Sequence, residues 1–241
     1  MVAKSARYES GVPVDVGAEP PRPRRPLFTV LAAIREQPRS ALARRAKRAI
    51  DIVGSALGLA TFAPVLAATA VAVKLTSPGP VLFVQDRVGL GGRRFRFYKF
   101  RTMVDDAESL KAELAHLNEM RGPVFKIERD PRMTPLGAIL RKLSIDELPQ
   151  FWNVLKGEMS LVGPRPPTPD EVEQYDDHHA QRLSVMPGMT GLWQVSGRSE
   201  INDFETWLAL DLAYAHRWSL LLDLEILLKT PIVVLLTRGA Q

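Results

Sequence analysis

Two carboxylic acids stand side by side at Asp146 and Glu147, within LRKLSIDELPQFWNVLKGEMSLVGPRP. Arg141 and Lys142 precede them, and Arg165 follows between Pro164 and Pro166. Adjacent acids flanked by cations suit chemistry on phosphate. Magnesium takes one or two carboxylates and completes its shell with water and substrate phosphates. An aspartate can instead attack phosphorus itself, as in aspartyl-phosphate enzymes. Arg141, Lys142 and Arg165 would then neutralise a diphosphate, and a guanidinium grips phosphate through two parallel hydrogen bonds. An Asp-Glu pair alone is a weak signal, and a local explanation competes with it. Ser144 and Glu147 have the spacing of a capping box. That box would put Pro149 at the fifth helical position, where a backbone donor is wanted. Proline prefers the first helical position. The sequence therefore predicts a helix from Pro149 to near Gly157, with the acids in the turn ahead of it. Such a helix start favours anions.

The elements that position these groups follow from composition and patterning. The chain has 241 residues, 32 Lys or Arg, 27 Asp or Glu, and no cysteine. A net charge of +5 suits phosphate-bearing partners without choosing among them. The absence of cysteine excludes disulfides, thiolate catalysis and zinc–thiolate sites. Residues 1–45 read as a disordered tail rich in proline and arginine (PPRPRRP), too poor in apolar surface to offset its ordering entropy. No cleavable leader is expected there.

Residues 52–73 form an uncharged apolar run with Pro64 near its middle. As a helix, a run of about 22 residues is about 33 Å long, enough for a hydrocarbon core of about 30 Å. A buried core helix, a spanning helix and a re-entrant helix all fit that length. An interior proline favours a bend. Basic residues flank both ends, Arg44, Arg45, Lys47 and Arg48 before and Lys74, Arg87, Arg93, Arg94 and Arg96 after. Basic flanks prefer the cytoplasmic side. The expectation is a re-entrant helix over residues 46–76 that breaks at Pro64 and returns. Residues 77–241 would form a cytoplasmic catalytic domain.

In that domain, VLFVQDRV and RRFRFYKF on either side of a glycine turn predict a β-hairpin. Its basic and aromatic alternation also suits nucleic acid. A hairpin with one solvated basic side is the simpler reading, and no nucleic-acid partner is expected. Residues 105–118 are polar and helix-prone, residues 136–143 carry a short apolar helical pattern, and residues 186–198 read as an ordered glycine-rich loop. A helix follows, capped by Asn202 or Asp203. The apolar C-terminal stretch is interrupted by Asp223, Glu225, Lys229 and Pro231, which predicts an interfacial amphipathic helix or a core helix. Trp193 and Trp218 suit either an interface or a packed interior. His178-His179 is expected to be exposed and not to bind metal. The class is α+β, mostly helical.

KRAIDIVGSALGL, SPGPVLFVQDRVG, FRFYKFRTM, DPRMTPLGAILRKLSIDELPQFWNVLKGEMSLVGPRP and PGMTGLWQVSGR occur in this order. Together they resemble the bacterial sugar transferases, the monotopic phosphoglycosyl transferases. The resemblance runs from about Lys47 to the C-terminus. It implies transfer of a sugar 1-phosphate from a UDP-sugar to polyprenyl (undecaprenyl) phosphate, at the cytoplasmic face of the bacterial inner membrane. It implies Asp146 as the nucleophile, carrying a covalent phospho-sugar after release of UMP. It implies Glu147, beside Asp146, as a ligand of magnesium (Mg2+), and Arg141 and Arg165 as phosphate contacts. Lys99, Arg101, Lys126, Asp130, Arg132, Gln194 and Arg198 fall in matching motifs as substrate contacts or supports. Their structural alternatives are a solvated hairpin face for Lys99 and Arg101, and a local salt bridge for Lys126, Asp130 and Arg132. Ala63 stands where some relatives have a serine before the proline, so no hydroxyl is present there to bond a freed carbonyl. HLNEMRGPVFKI resembles members acting on hexoses, glucose or galactose, in exopolysaccharide synthesis. Downstream glycosyltransferases would extend the product. The rival reading is a membrane-anchored RNA- or lipid-binding protein without catalysis.

Overall fold

The computed structural model describes residues 27–32, 34, 40–197, 201 and 203–236. The chain is mostly helical, with two small two-stranded sheets among the described residues. Within the stretch read as a tail, α1 (Leu27–Ala32) is a short helix and its Val30 is fully buried. The PPRPRRP segment, Arg198 and Asn202 lie outside the described residues.

α2 (Ala41–Thr76) is one helix of 36 residues that continues through Pro64, where a break was expected. The Ser40 hydroxyl caps it by accepting from the Ala43 N–H at 3.1 Å. One stripe of α2, repeating every three or four residues, faces the rest of the protein. Lys47 donates to Asp223 at 2.7 Å and to the Val162 carbonyl at 3.1 Å. Arg48 donates to the carbonyls of Val154 and Leu155. The Asp51 carboxylate accepts from the Ser160 hydroxyl and the Leu161 N–H. Gly58 must lack a side chain, because a Cβ would meet the Phe151 ring at 2.8 Å. One turn on, Phe62 stacks on that same ring at 6.3 Å between centroids. Val73 is buried with Phe100 and Leu140, and Leu66 and Ala70 pack against them. Both ends of α2 therefore rest on one body. The opposite face is apolar and open, with Val53, Leu57, Val71 and Leu75 exposed. By length and composition this helix can cross a membrane.

β1 (Leu82–Val88) and β2 (Arg94–Phe100) form the expected antiparallel hairpin, with Leu82 opposite Phe100 and Val88 opposite Arg94. Residues 105–118 do not make an α-helix. They form 3-10 turns at Ser109–Lys111 and Ala115–Leu117. Leu110, Leu114 and Leu117 have helical spacing, but no residue from 105 to 118 is buried, so tertiary packing gives a helix there little support.

α3 (Pro135–Lys142) starts with Thr134 as cap and proline as its first residue. α4 (Gln150–Lys156) begins one residue after the predicted Pro149 and ends at Gly157, whose φ is +84°. β3 (Ser160–Val162) follows, then two short helices, α5 (Pro169–Val172) and α6 (Asp177–Ala180). Residues 186–197 are more regular than the predicted loop. β4 (Gly188–Thr190) pairs in parallel with β3, and α7 (Leu192–Val195) follows directly. α8 (Phe204–Arg217) is capped by Asp203, and α9 (Leu220–Leu236) continues through Pro231.

The interruption at Asp223 turns out to be an anchor. Its buried carboxylate accepts from Lys47, the Tyr214 hydroxyl and the Trp218 indole, tying α9 to α2 and α8. The outer side of α9 leaves Leu221, Leu224, Leu228 and Ile232 exposed at helical spacing. His179 is buried rather than exposed. Its ring stacks on Tyr175 and Phe204 and pairs with Asp176 and Glu205. His178 is exposed as expected.

Candidate active site

The acidic pair sits in a 3-10 turn, Ile145–Glu147, squeezed between α3 and α4. Ser144 opens the turn with φ +54°, a left-handed conformation that costs a non-glycine residue about 1–2 kcal/mol. The predicted rejection of a capping box holds, since the Ser144 side chain makes no capping bond. Asp146 is buried and Glu147 half-buried. α3 is pressed against the end of β2 through Gly137, where a Cβ would lie 1.9 Å from the Thr102 carbonyl oxygen. That contact places Arg141 so that its Nε donates to the Thr102 hydroxyl at 3.0 Å.

Asp146 and Glu147 open into a cavity of about 350 Å³. Lys99, Arg101, Lys126, Asp130, Arg132, Arg141 and Arg165 line the same cavity. The structure thus brings together nine residues named from the sequence, drawn from the hairpin and its exit, the 126–132 segment, α3, the 3-10 turn and the loop around Arg165. Gln194 lies on α7 and Lys142 is exposed, and neither lines the cavity. Lys142 cannot help neutralise a ligand there, because successive helical residues point 100° apart and Arg141 takes the inward direction. α4 is barely two turns long, so charge compensation comes from side chains more than from a helix end.

The cations divide by partner. Arg101 caps the far end of α2, donating to the Ser77 carbonyl and hydroxyl and to the Pro78 carbonyl. Arg132 grips Asp130 with two prongs, at 2.9 and 2.6 Å, and donates to the Ala107 carbonyl. Burial pushes the Asp130 carboxyl up, but the Arg132 hydrogen bonds outweigh it and hold the carboxyl below its usual range. Both arginines hold loops in place. Arg165 faces Glu171 at 3.5 Å and lies 5.5 Å over the Trp207 ring. Among the described residues, the close partner of Lys99 is the Phe83 ring, 5.0 Å away across the hairpin. Burial, then the charge of Arg141, pushes its ammonium down to about 8. Asp146 and Glu147 pull the other way. Lys99, Arg141 and Arg87 carry positive charge into the cavity with no carboxylate bonded to them among the described residues.

The family profile of bacterial sugar transferases matches residues 42–237. The chain belongs to this family. It is 52% identical over 196 residues to the galactosyl transferase CpsE of Streptococcus agalactiae, covering 81% of this chain and 43% of that protein. It is 41% identical over 199 residues to the exopolysaccharide production protein ExoY of Rhizobium meliloti, covering 81% of this chain and 88% of ExoY. It is 43% identical over 202 residues to the UDP-glucose:undecaprenyl-phosphate glucose-1-phosphate transferase of Caulobacter vibrioides, covering 80% and 71%. The chain thus spans less than half the length of CpsE and most of ExoY.

Two features of this candidate site are not among the predicted residues. The first is Arg87, named only as a flanking charge, which lines the cavity while buried. Period-two alternation finds it. If Lys99 faces the site, so do Phe97 and Arg101, and across the hairpin so do Phe83, Gln85 and Arg87. The second is a brace behind the site. Arg182, fully buried, donates to the Tyr175 hydroxyl, to Asp211 at 2.5 Å and to the Arg165 carbonyl. Its guanidinium centre lies 5.8 Å from the Trp207 ring that also carries Arg165. Burial pushes the Asp211 carboxyl up to about 6 against the pull of Arg182. No local pattern announces this brace, since its members come from four separate segments.

Proposed function

We propose that the chain transfers a sugar 1-phosphate from a UDP-sugar to polyprenyl phosphate, starting a lipid-linked glycan of the exopolysaccharide type. The observation that carries this reading is a buried Asp146 at the edge of a cavity whose cations outnumber their carboxylate partners. Such a site suits a ligand with several phosphate charges. The Asp146 carboxylate attacks the sugar-proximal phosphorus of the UDP-sugar. The bond from that phosphorus to the bridging oxygen breaks, and UMP departs with the electron pair. A phosphate oxygen of polyprenyl phosphate then attacks the same phosphorus. The aspartyl P–O bond breaks, restoring Asp146 and giving a polyprenyl diphosphate sugar. Two displacements spare the enzyme from binding both anionic substrates at once.

Glu147, with Asp146 beside it, would hold magnesium. The donor set fits: two adjacent carboxylates line the cavity, and magnesium needs only one or two when phosphates complete its shell. The ion would neutralise charge on the departing nucleotide. Arg141, Lys99 and Arg165 bind and orient the phosphates.

We read α2 as re-entrant at the cytoplasmic face of the bacterial inner membrane. Its two ends contact one body, its outer face is apolar, and basic residues flank both ends. The exposed Leu221, Leu224, Leu228 and Ile232 of α9 supply a second apolar surface for the interface. The sugar is a hexose on this reading. The galactosyl transferase CpsE and the glucose-1-phosphate transferase of Caulobacter support it, whereas an Aeromonas hydrophila relative, 42% identical, is named for N-acetylgalactosamine. Release of UMP from a panel of UDP-sugars, with magnesium and polyprenyl phosphate, tests the reading. UMP from UDP-glucose or UDP-galactose is expected. Release from UDP-N-acetylgalactosamine alone would keep the reaction and overturn the sugar. No release with any donor would favour the binding-protein alternative.

A further inference from the structure

We propose that Arg87 is a phosphate-binding residue that shares one anionic ligand with Arg165. Arg87 is the penultimate residue of β1, only 6% exposed, and its side chain lines the cavity. A guanidinium has five N–H donors. One of them, on Nη1, reaches the Pro166 carbonyl at 2.9 Å. The Phe97 ring covers the group at 5.2 Å. The buried Nε has no hydrogen-bond partner. A buried charge with an unmet donor and, among the described residues, no carboxylate within ion-pair distance is costly, and a fold tolerates it where a ligand completes it.

The neighbours sharpen the point. Burial, then repulsion from Arg165, pushes the Arg87 guanidinium down to about 9, while Glu171, Tyr175 and Glu147 pull it back. Glu171 is already engaged by Arg165 at 3.5 Å and by the Thr168 N–H at 3.1 Å. Glu171 thus pairs with Arg165 and only attracts Arg87 from beyond ion-pair distance. A phosphate seated between the two guanidinium groups would supply the missing charge and accept from both forks. The contact with Pro166 gives Arg87 a second role, since it fixes the backbone beside Arg165.

Under the proposed transfer, phosphate arrives from two sources, the nucleotide sugar and the lipid acceptor. The recognition chemistry is the same for both, and the two half-reactions separate them. Arg87→Gln keeps an N–H donor for the Pro166 carbonyl and loses the charge. Arg87→Lys keeps the charge and loses the fork.

The test measures binding of inorganic pyrophosphate to the full chain in detergent, by calorimetry, with the melting temperature of each ligand-free variant beside it. Arg87→Gln is expected to melt close to the parent and to bind pyrophosphate at least tenfold more weakly, with Arg87→Lys in between. Parental affinity in Arg87→Gln overturns the proposal, and so does a parent that binds no pyrophosphate. If Arg87→Gln does not fold, Arg87→Lys decides on the same scale, and parental affinity there overturns the shared grip. The turnover arms rest on the proposed function. Slower loading of Asp146 from a UDP-sugar assigns the grip to the nucleotide phosphate, and slower discharge to polyprenyl phosphate assigns it to the lipid. Failure of the parent to turn over sinks the proposed function, and pyrophosphate binding still decides the role of Arg87.

Discussion

Two charged clusters, one buried and one partly buried, adjoin the loop that carries Arg165, and they are built on opposite principles. Behind it, Arg182 is closed on every side but one, with Tyr175, Asp211 and the Arg165 carbonyl as acceptors and three aromatic rings around it. In front of it, Arg87, Lys99 and Arg141 enter a cavity with a carbonyl, a ring and a hydroxyl as their respective close partners. Both hold a buried arginine, Arg182 behind and Arg87 in front. The difference is whether the protein supplies the counter-charge. Where it does, the cluster braces the fold, and where it does not, the cluster suits an anionic ligand.

The comparison predicts that changes in front alter chemistry and changes behind alter stability. Asp146→Asn should break it most visibly. Loss of a nucleophile is expected to slow transfer by at least about a thousandfold, with a melting temperature near the parent's. UMP release under steady-state conditions checks this. A mutant that unfolds instead would move Asp146 into the structural class.

Asp211→Ala should do the reverse. It leaves the Arg182 guanidinium buried and unpaired, which is expected to cost about 3–5 kcal/mol of stability. Chemical denaturation in detergent measures it. Loading of Asp146 per folded molecule should stay within a few-fold of the parent, and a thousandfold loss there would erase the distinction between the clusters.

Lys99 sharpens the comparison through pH. With its ammonium pushed down to about 8, it is mostly charged at pH 7 and mostly neutral at pH 9. Donor binding that needs the charge should weaken about tenfold between those values. Lys99→Arg holds its charge throughout and should flatten the profile. KM for the UDP-sugar as a function of pH tests both, and a parent profile as flat as that of the variant would remove Lys99 from the phosphate contacts.

The smallest effect belongs to Ser144, the residue with φ +54° ahead of the acidic pair. Ser144→Gly relieves that strain and should stabilise the protein by about 1 kcal/mol. Loading of Asp146 should become slower, because the turn is then less rigidly held. A melting temperature that falls would show that the Ser144 side chain contributes more than the strain costs.

Much of the site was legible because its residues sit at fixed offsets on short regular elements. The acids could be placed ahead of α4 from Pro149 and Gly157 alone. Asp203 as a cap and the hairpin around residues 89–92 followed from equally local chemistry. Arg101 was read as a possible substrate contact or support, and only the fold shows it closing the end of α2. Arg132 makes the local salt bridge to Asp130 that was one of its two readings, while also lining the cavity. β3 and β4 escaped notice because three-residue strands carry no usable period. His179 escaped because a polar stretch gives no sign that Tyr175 and Phe204 will enclose it. Arg87 was within reach of the alternation rule, once one cavity-facing residue on the opposite strand was known.

The most direct measurement is intact-protein mass spectrometry of the detergent-solubilised chain after incubation with magnesium and UDP-glucose or UDP-galactose, without lipid acceptor. The account predicts one added hexose phosphate on the parent and none on Asp146→Asn, with the adduct discharged when polyprenyl phosphate is supplied. An adduct of the same mass on Asp146→Asn would contradict it.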